Sequence, residues 1–356
     1  MPDVDELLRE GVRCHQAGDA VSAARAYHAV LAAQPEQPDA WHLLGLLAQD
    51  AGDWPAAEER IRRAVALRPD EPTFTLSLAN LLRDAGRRDE AIKAYRTILG
   101  QYPDQTDAAL NLGNVYAETG DWPRAAEVFQ ELLRHVPRHA PVLANLGLAC
   151  RMLNEPGRAR AAFETALALN PEDAETHFNL GAVLHEQGER EAAHRHYERA
   201  GALDPAHAGA WNHRGIWHQE CGEMAEAERC YRQALVANPD DAEVLNNLGT
   251  LLAATDRQEA AEAAYRAALA VSPGFAEACK NLAAVLAARG ARDEALHYFQ
   301  EALRLKPELS EAAFKVAALS GETPATAPAD YVAALFDDYA ANYDRHLTET
   351  LRYDVP

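Results

Sequence analysis

The sequence predicts an all-α fold of tandem helical hairpins, and two observations lead to this prediction. A proline recurs every 34 residues through most of the 356-residue chain, with no insertion or deletion between copies. Rows of alanine, glycine and large apolar residues keep the same phase. A fixed period of this length is typical of helical hairpins that stack on similar neighbours, so it predicts a solenoid.

Four rows of residues define the repeat. The period marks are Pro35, Pro69, Pro103, Pro137, Pro171, Pro205, Pro239, Pro273 and Pro307. The alanine row is Ala23, Ala57, Ala91, Ala125, Ala159, Ala193, Ala227, Ala261 and Ala295. Four residues later the large apolar row is Tyr27, Ile61, Tyr95, Phe129, Phe163, Tyr197, Tyr231, Tyr265 and Phe299. The small-residue row is Gly11, Gly45, Ala79, Gly113, Gly147, Gly181, Gly215, Gly249 and Ala283.

The residue types in these rows have physical reasons. Two antiparallel helices approach closely only where one presents almost no side chain, which explains the glycine and alanine rows. The large apolar residue lies one turn after the alanine and is expected to fill the space between hairpins. The turn between the helices needs a left-handed residue. The residues predicted there are Gly18, Gly52, Gly86, Gly120, Asn154, Gly188, Gly222, Asp256 and Gly290.

This pattern resembles the tetratricopeptide repeat (TPR) motif, W-x2-L-G followed by A-x3-F and then P. The second repeat matches it at Trp41, Leu44, Gly45, Ala57 and Pro69, with Ile61 in the aromatic position. The resemblance covers about residues 4–320. It implies a right-handed superhelical solenoid of nine helix-turn-helix repeats over residues 1–320, with 308–320 as a capping helix. In this family the first helix of each repeat lines a concave groove.

One groove position is rich in asparagine. Through the nine repeats it reads Arg9, Leu43, Ser77, Asn111, Asn145, Asn179, His213, Asn247 and Asn281. Asparagine in a helix interior is about 0.5 kcal/mol less favourable than alanine, so local helix stability does not explain the choice. Flanking groove positions add Asn80 and Asn114.

A side-chain amide can pair with both the C=O and the N–H of a peptide, whatever the peptide's sequence. Repeats about 10 Å apart would place one amide at about every third residue of an extended chain. The row is similar to the asparagine ladder of the O-GlcNAc transferase repeat superhelix. We therefore predict a groove that binds a protein or extended peptide through the asparagines named above and His213. In the alternative interpretation, the asparagines were copied passively with the repeats or bond their neighbours to stiffen the stack.

Acids near the groove ends favour a partner with some positive charge, although solvated helix ends explain them equally well. They are Asp50, Asp84, Glu118, Glu186 and Glu220. The clamp for C-terminal carboxylates known in this family needs Lys and Asn four residues apart in the groove. Lys280 is followed by Ala284 at that spacing, so this clamp is not expected.

Composition limits the other functions. A formal net charge of −21 argues against binding to nucleic acid or to an anionic membrane surface. The five cysteines have no CxxC spacing and are interpreted as packing residues in a reducing compartment. No signal peptide and no membrane span is predicted, so a cytoplasmic location is expected. Catalytic, cofactor and metal motifs such as HExxH, GxSxG and GxGxxG are missing, so none of these sites is predicted in the chain.

The repeat phase stops after Ser320, and residues 321–329 have the composition of a linker. Residues 330–356 carry an apolar stripe that includes Phe336, Tyr339 and Tyr343. One interpretation is an amphipathic helix folded against the end of the solenoid. The segment also resembles the one that precedes the first strand of class I S-adenosylmethionine-dependent methyltransferases. That resemblance implies the cofactor S-adenosylmethionine in a longer protein, but not in residues 1–356.

Three functions are therefore considered. The first is a repeat domain that recruits a polypeptide substrate for a methyltransferase. The second is a stand-alone scaffold for protein–protein interaction. The third is the repeat domain of a glycosyltransferase, which is based on the asparagine row and is not favoured by residues 330–356.

Overall fold

The computed structural model describes residues 3–321, and every regular element in this range is an α-helix. The first helices of the hairpins are α1 (Val4–Gln16), α3 (Pro38–Asp50), α5 (Pro72–Asp84), α7 (Thr106–Glu118), α9 (Ala140–Met152), α11 (Ala174–Glu186), α13 (Ala208–Glu220), α15 (Ala242–Ala254) and α17 (Ala276–Ala288). The second helices are α2 (Ala20–Ala33), α4 (Trp54–Leu67), α6 (Arg88–Gln101), α8 (Trp122–His135), α10 (Pro156–Leu169), α12 (Arg190–Leu203), α14 (Met224–Ala237), α16 (Gln258–Val271) and α18 (Arg292–Leu305). A final helix, α19 (Ser310–Ser320), corresponds to the predicted capping helix.

The helix boundaries repeat every 34 residues, as the period marks predict. The chain divides into two compact units, one up to Glu189 and the other from Arg190. Unit 1 contains α1–α11 and unit 2 contains α12–α19. Within each unit the helices pack on their neighbours in chain order. The predicted fold class, an all-α solenoid of TPR hairpins, is confirmed.

The turns between the two helices of each hairpin have the predicted left-handed residues. The seven predicted glycines have φ between 75° and 80°. Asn154 and Asp256 have φ of 58° and 59°, and they are the non-glycine residues with positive φ among those described. Asparagine and aspartate tolerate this conformation better than other residues with a Cβ, because their short polar side chains bond locally. The turn prediction is therefore confirmed at all nine hairpins.

The small residues bring the two helices of a hairpin into close contact. A Cβ built at Gly147 on α9 would lie 2.6 Å from Cε1 of Phe163 on α10. Gly215 and Tyr231 show the same contact in unit 2, again at 2.6 Å. Both rings are buried, as is the whole alanine row. The aromatic side chain thus packs against the glycine of its own hairpin. From the sequence we expected this side chain only to fill the space between one hairpin and the next.

Candidate functional site

Asparagine side chains link successive repeats in unit 1. Asn111 Nδ2 donates a hydrogen bond to Asn80 Oδ1 at 2.9 Å. Asn145 Nδ2 donates to Asn114 Oδ1 at 3.2 Å. The Tyr95 hydroxyl also donates to Asn80 Oδ1, at 2.6 Å, which anchors that amide to the second helix of its hairpin. The first helices α5, α7 and α9 therefore carry two hydrogen-bonded amide pairs, one between each two successive first helices, which we call the unit 1 asparagine face.

Unit 2 has a similar series with a different register. Asn247 Nδ2 donates to Asn212 Oδ1 at 3.1 Å, and Asn281 Nδ2 donates to Asn246 Oδ1 at 3.0 Å. Here the acceptor lies 35 residues before the donor, whereas in unit 1 the separation is 31. We call these amides on α13, α15 and α17 the unit 2 asparagine face.

The acceptors in unit 2 were not predicted from the sequence. Asn212 and Asn246 are nearly fully buried, each one residue before the asparagine row. His42 holds the same repeat position, and its Nε2 lies 2.9 Å from Ser77 Oγ. The only signal in the sequence is a second polar residue directly before the row.

The neighbour bonds leave hydrogen-bonding capacity on the donor residues. An asparagine amide has two N–H donors and one carbonyl acceptor. The bonds of Asn111 and Asn145 use one N–H each, and no described residue donates to the Oδ1 of either. A held amide loses less conformational entropy when a ligand binds than a free one. The neighbour bonds are thus compatible with both interpretations of the row.

Two predicted residues are engaged differently. Asn179 is 7% exposed, and its Nδ2 donates to Glu175 Oε1 on the same helix at 3.1 Å. The ring of His213 stacks on Tyr197, with 4.6 Å between centroids and 10° between planes. Neither residue supplies one of the Asn–Asn bonds that link repeats.

Four of the five acids near the ends of the first helices have cationic or histidine partners. The pairs are Asp50 with His15 at 2.9 Å, Asp84 with Arg83 at 2.8 Å, Glu186 with Arg151 at 2.8 Å and Glu220 with Arg190 at 3.2 Å. These contacts reduce the attraction that the acids would exert on a basic partner.

Unit 1 has two cavities along the asparagine row. An open cavity of about 670 Å³ lies between α1 and α3, and Arg9 and Leu43 of the row line it together with Leu8 and Val12. A smaller cavity of about 200 Å³ lies between α9 and α11, and Asn145 and Asn179 contribute to its wall. Both are large enough to receive a side chain.

Residues 3–321 contain no group of three or more His, Cys, Asp or Glu side chains able to hold a metal ion. All five cysteines are free thiols, and burial raises the thiol pKa of Cys150, Cys230 and Cys279. In the same range no helix has both the length and the hydropathy to cross a bilayer.

His42 gives a prediction about pH. Burial lowers its pKa, although Asp39 and Glu71 oppose the shift. The unfolded chain, with a His pKa of about 6.5, therefore binds more protons than the native chain, and stability falls as the pH drops through about 6.5. His42→Gln should reduce this loss in denaturant titrations between about pH 7.5 and 5.5.

An exposed residue supplies the control for this measurement. Val21→Gln on α2 changes no titratable group and should leave the pH dependence of unfolding as in the parent chain. Carboxylates do not interfere, because a group such as Glu228, whose pKa is lowered by the hydrogen bond from Arg257, loses its contribution only below about pH 4.5. An identical pH slope in the His42 variant and the parent chain would contradict the prediction.

Comparison with known proteins identifies the family. Models described as Tetratricopeptide repeat or TPR repeat match residues 16–72, 42–106, 76–140, 110–159, 220–274, 147–188, 174–207 and 276–309. The chain therefore belongs to the tetratricopeptide repeat family. It is a TPR scaffold, a class of protein that binds protein or peptide partners. No curated protein matches the sequence.

Several solved structures share the fold. The APC/C hetero-tetramer Cut9-Hcn1 matches with a TM-score of 0.58 and 16% identity over 84% of this chain and 59% of that one. A tetratricopeptide repeat protein from Parabacteroides merdae matches with a TM-score of 0.55 and 18% identity over 70% and 98% of the two chains. PilF of Pseudomonas aeruginosa matches with a TM-score of 0.54 and 22% identity over 66% and 99%. At these identities the likeness concerns the fold alone.

Proposed function

We propose that this TPR scaffold binds an extended polypeptide by its backbone, along the asparagine faces of its first helices. The observation that carries the proposal is the row of hydrogen-bonded amides on α5, α7 and α9, and again on α13, α15 and α17. The bonds from Asn111 to Asn80 and from Asn145 to Asn114 hold the amides of unit 1 in place. Each donor keeps one N–H and its carbonyl oxygen, the two groups that a peptide bond can pair with.

The spacing of the amides also supports the proposal. First helices of successive repeats pack at about 10 Å, and an extended chain advances by about 3.3–3.6 Å per residue. One amide therefore meets about every third peptide unit. Recognition through the backbone fits a partner whose sequence varies, and the cavities beside the row can then add selectivity.

Backbone methylation tests the proposal directly. The probe is a peptide selected from a random library on the immobilised full chain and then resynthesised with single N-methyl groups. Each N-methyl group at a contacted residue should weaken binding by about tenfold, because it removes one donor from a hydrogen bond. Alanine substitution of most peptide side chains should have a smaller effect, and fluorescence anisotropy measures both.

The opposite pattern would argue against the proposal. If N-methylated peptides bind as tightly as the parent peptide while alanine substitutions abolish binding, recognition is through side chains. The asparagines would then serve only to join the repeats.

A narrower proposal concerns the end of the chain. The resemblance of residues 330–356 to the start of a methyltransferase supports a scaffold that recruits the substrate of such an enzyme. These residues lie outside the described part of the structure, so the proposal depends on the sequence alone. The stand-alone scaffold and the glycosyltransferase repeat domain remain alternatives.

The cofactor offers a test of this narrower proposal. S-adenosylmethionine is held at a glycine-rich turn between a strand and a helix, and residues 3–321 contain only helices and their connections. These residues do not fit the cofactor. We therefore predict that residues 1–356 give no heat of binding with S-adenosylmethionine in calorimetry, while they still bind the selected peptide. Micromolar binding of the cofactor would contradict the prediction.

A further inference from the structure

We propose that the contact between α12 and α13 in unit 2, which we call the α12–α13 joint, is a point of local opening. At this joint the hairpin of α13 and α14 separates from α12 while the later hairpins of the unit stay folded. The residue that sets the opening is Arg214 of α13, a cation in a position that other repeats fill with leucine. The proposal goes beyond peptide binding, because it concerns a motion built into the fold.

The residue directly before the small-residue row is normally part of the apolar core. It is leucine in seven of the nine repeats, and the exceptions are Glu10 in the first hairpin and Arg214 in the seventh. Leu248 and Leu282 show the usual arrangement in unit 2, where both are buried. Arg214 therefore places a charged group where the following repeats of its own unit pack apolar atoms.

The α12 side of the joint has also lost a large apolar residue, because Gly201 is buried there. The other eight repeats have leucine or valine at the position of Gly201, namely Leu31, Val65, Leu99, Leu133, Leu167, Leu235, Leu269 and Leu303. A Cβ built at Gly201 would lie 3.4 Å from Nη1 of Arg214 and 3.8 Å from Cε2 of Trp211. The guanidinium group and the indole ring thus lie beside the glycine, where a leucine would otherwise pack.

Two polar atoms at the joint are buried without a hydrogen-bond partner among the described residues. They are Nε of Arg214 and Nδ1 of His194 on α12. No described acid forms an ion pair with Arg214, whose guanidinium carbon lies 4.3 Å from the centroid of the Trp211 ring. This cation–π contact provides no acceptor for Nε. Because buried polar groups without partners destabilise the packing around them, the α12–α13 joint should open more easily than the α14–α15 contact, where Leu235 and Leu248 belong to one apolar core.

Ring contacts also connect the two helices of the joint. His194 stacks on Trp217 of α13 with 4.8 Å between centroids, and Tyr197 of α12 stacks on His213 of the asparagine row. Opening of the joint separates both pairs of rings. Because His213 belongs to the row, unit 2 has a place where its groove can bend without loss of its helices.

Two buried thiols of unit 2 can report on the opening. Cys230 on α14 is fully buried, and burial raises its pKa while the nearby charge of Arg214 opposes the rise, which places the thiol close to the joint. Cys279 on α17 is buried to the same degree in a later hairpin. A buried thiol reacts with iodoacetamide only when its surroundings open. In the full chain with Cys221→Ser, which removes an exposed thiol, Cys230 should react at least about tenfold faster than Cys279, as measured by peptide mass spectrometry.

Matched variants connect the opening to Arg214. Arg214→Leu restores the residue of the other repeats and should slow the labelling of Cys230 by about tenfold, with the rate at Cys279 unchanged. Arg199→Gln removes a cation from the exposed surface of α12 and should leave both rates as in the parent chain. If Arg214→Leu does not fold, Arg214→Met removes the charge with little change in length, and the same result is expected.

Three outcomes would overturn the proposal. Equal labelling rates of Cys230 and Cys279 in the parent chain would show that unit 2 opens only as a whole. An unchanged rate at Cys230 in the Arg214 variant would show that the arginine does not set the opening. Slowing of both thiols by the same factor would show that the substitution stabilises the whole unit and not the joint.

Discussion

Replacement of Asn111, Asn145 and Asn179 by alanine is expected to abolish binding of an extended peptide. Each asparagine offers a donor and an acceptor, and a hydrogen bond of this kind contributes about 1 kcal/mol. Loss of three such residues should weaken binding by at least about 100-fold. Fluorescence anisotropy with the selected peptide measures the affinity, and circular dichroism monitors the fold.

The stability of the triple variant decides between the two interpretations of the row. Loss of the Asn111–Asn80 and Asn145–Asn114 bonds should cost about 0.5–1.5 kcal/mol each. The higher helix propensity of alanine returns about 0.5 kcal/mol per residue, so the melting temperature should change little. Asn238→Ala, at an exposed helix end, is the control for binding. Unchanged peptide binding with a clearly lowered melting temperature would show that the asparagines only join the repeats.

Replacement of Gly147 by alanine is expected to destabilise unit 1 by about 1–3 kcal/mol. Alanine is normally the better helix former, by about 1 kcal/mol. At this position, however, the new Cβ would lie 2.6 Å from the Phe163 ring, which is fully buried and would have to shift. The clash should therefore outweigh the gain in helix propensity. Urea unfolding of the full chain measures the difference.

Gly100 provides the matched control for this substitution. It lies in α6 of the same unit, and a Cβ added there would meet nothing within 4 Å. Gly100→Ala should leave stability unchanged or raise it by a few tenths of a kcal/mol. If both variants lower the stability equally, the close helix contact at Gly147 is not the cause.

The sequence was sufficient to predict features that depend on local conformation. The left-handed turns at Asn154 and Asp256 were predictable because few residue types tolerate positive φ. The ends of the second helices followed from the proline period, because a proline disfavours the helical conformation of the residue before it. The contact of Phe163 with Gly147 was not anticipated, because a period gives spacing along the chain and does not say which helix a ring will face.

Part of the candidate site was also predictable, because the repeat period fixes the phase of its residues. The asparagine row was visible as a polar residue at a fixed phase in the first helices. The pairing of these asparagines across repeats was not predictable from the sequence. Asn111 donates to a residue 31 positions earlier, whereas Asn247 donates to one 35 positions earlier. That choice depends on how adjacent first helices pack. The hydrogen bond from Thr176 to Asp173 was missed because an aspartate before a helix is usually a cap, and only the structure shows this other partner.

The packing of each helix on its neighbours in chain order also bears on how the protein is made. A ribosome adds about 5–20 residues per second, so one 34-residue hairpin emerges in about 2–7 seconds. Helices form within about a microsecond. Each new hairpin therefore has time to pack on the preceding one before the next emerges, and within each unit its other face is covered when the following hairpin packs on it. This chain is suited to co-translational folding, in which the apolar face left open at any moment is that of the most recent hairpin.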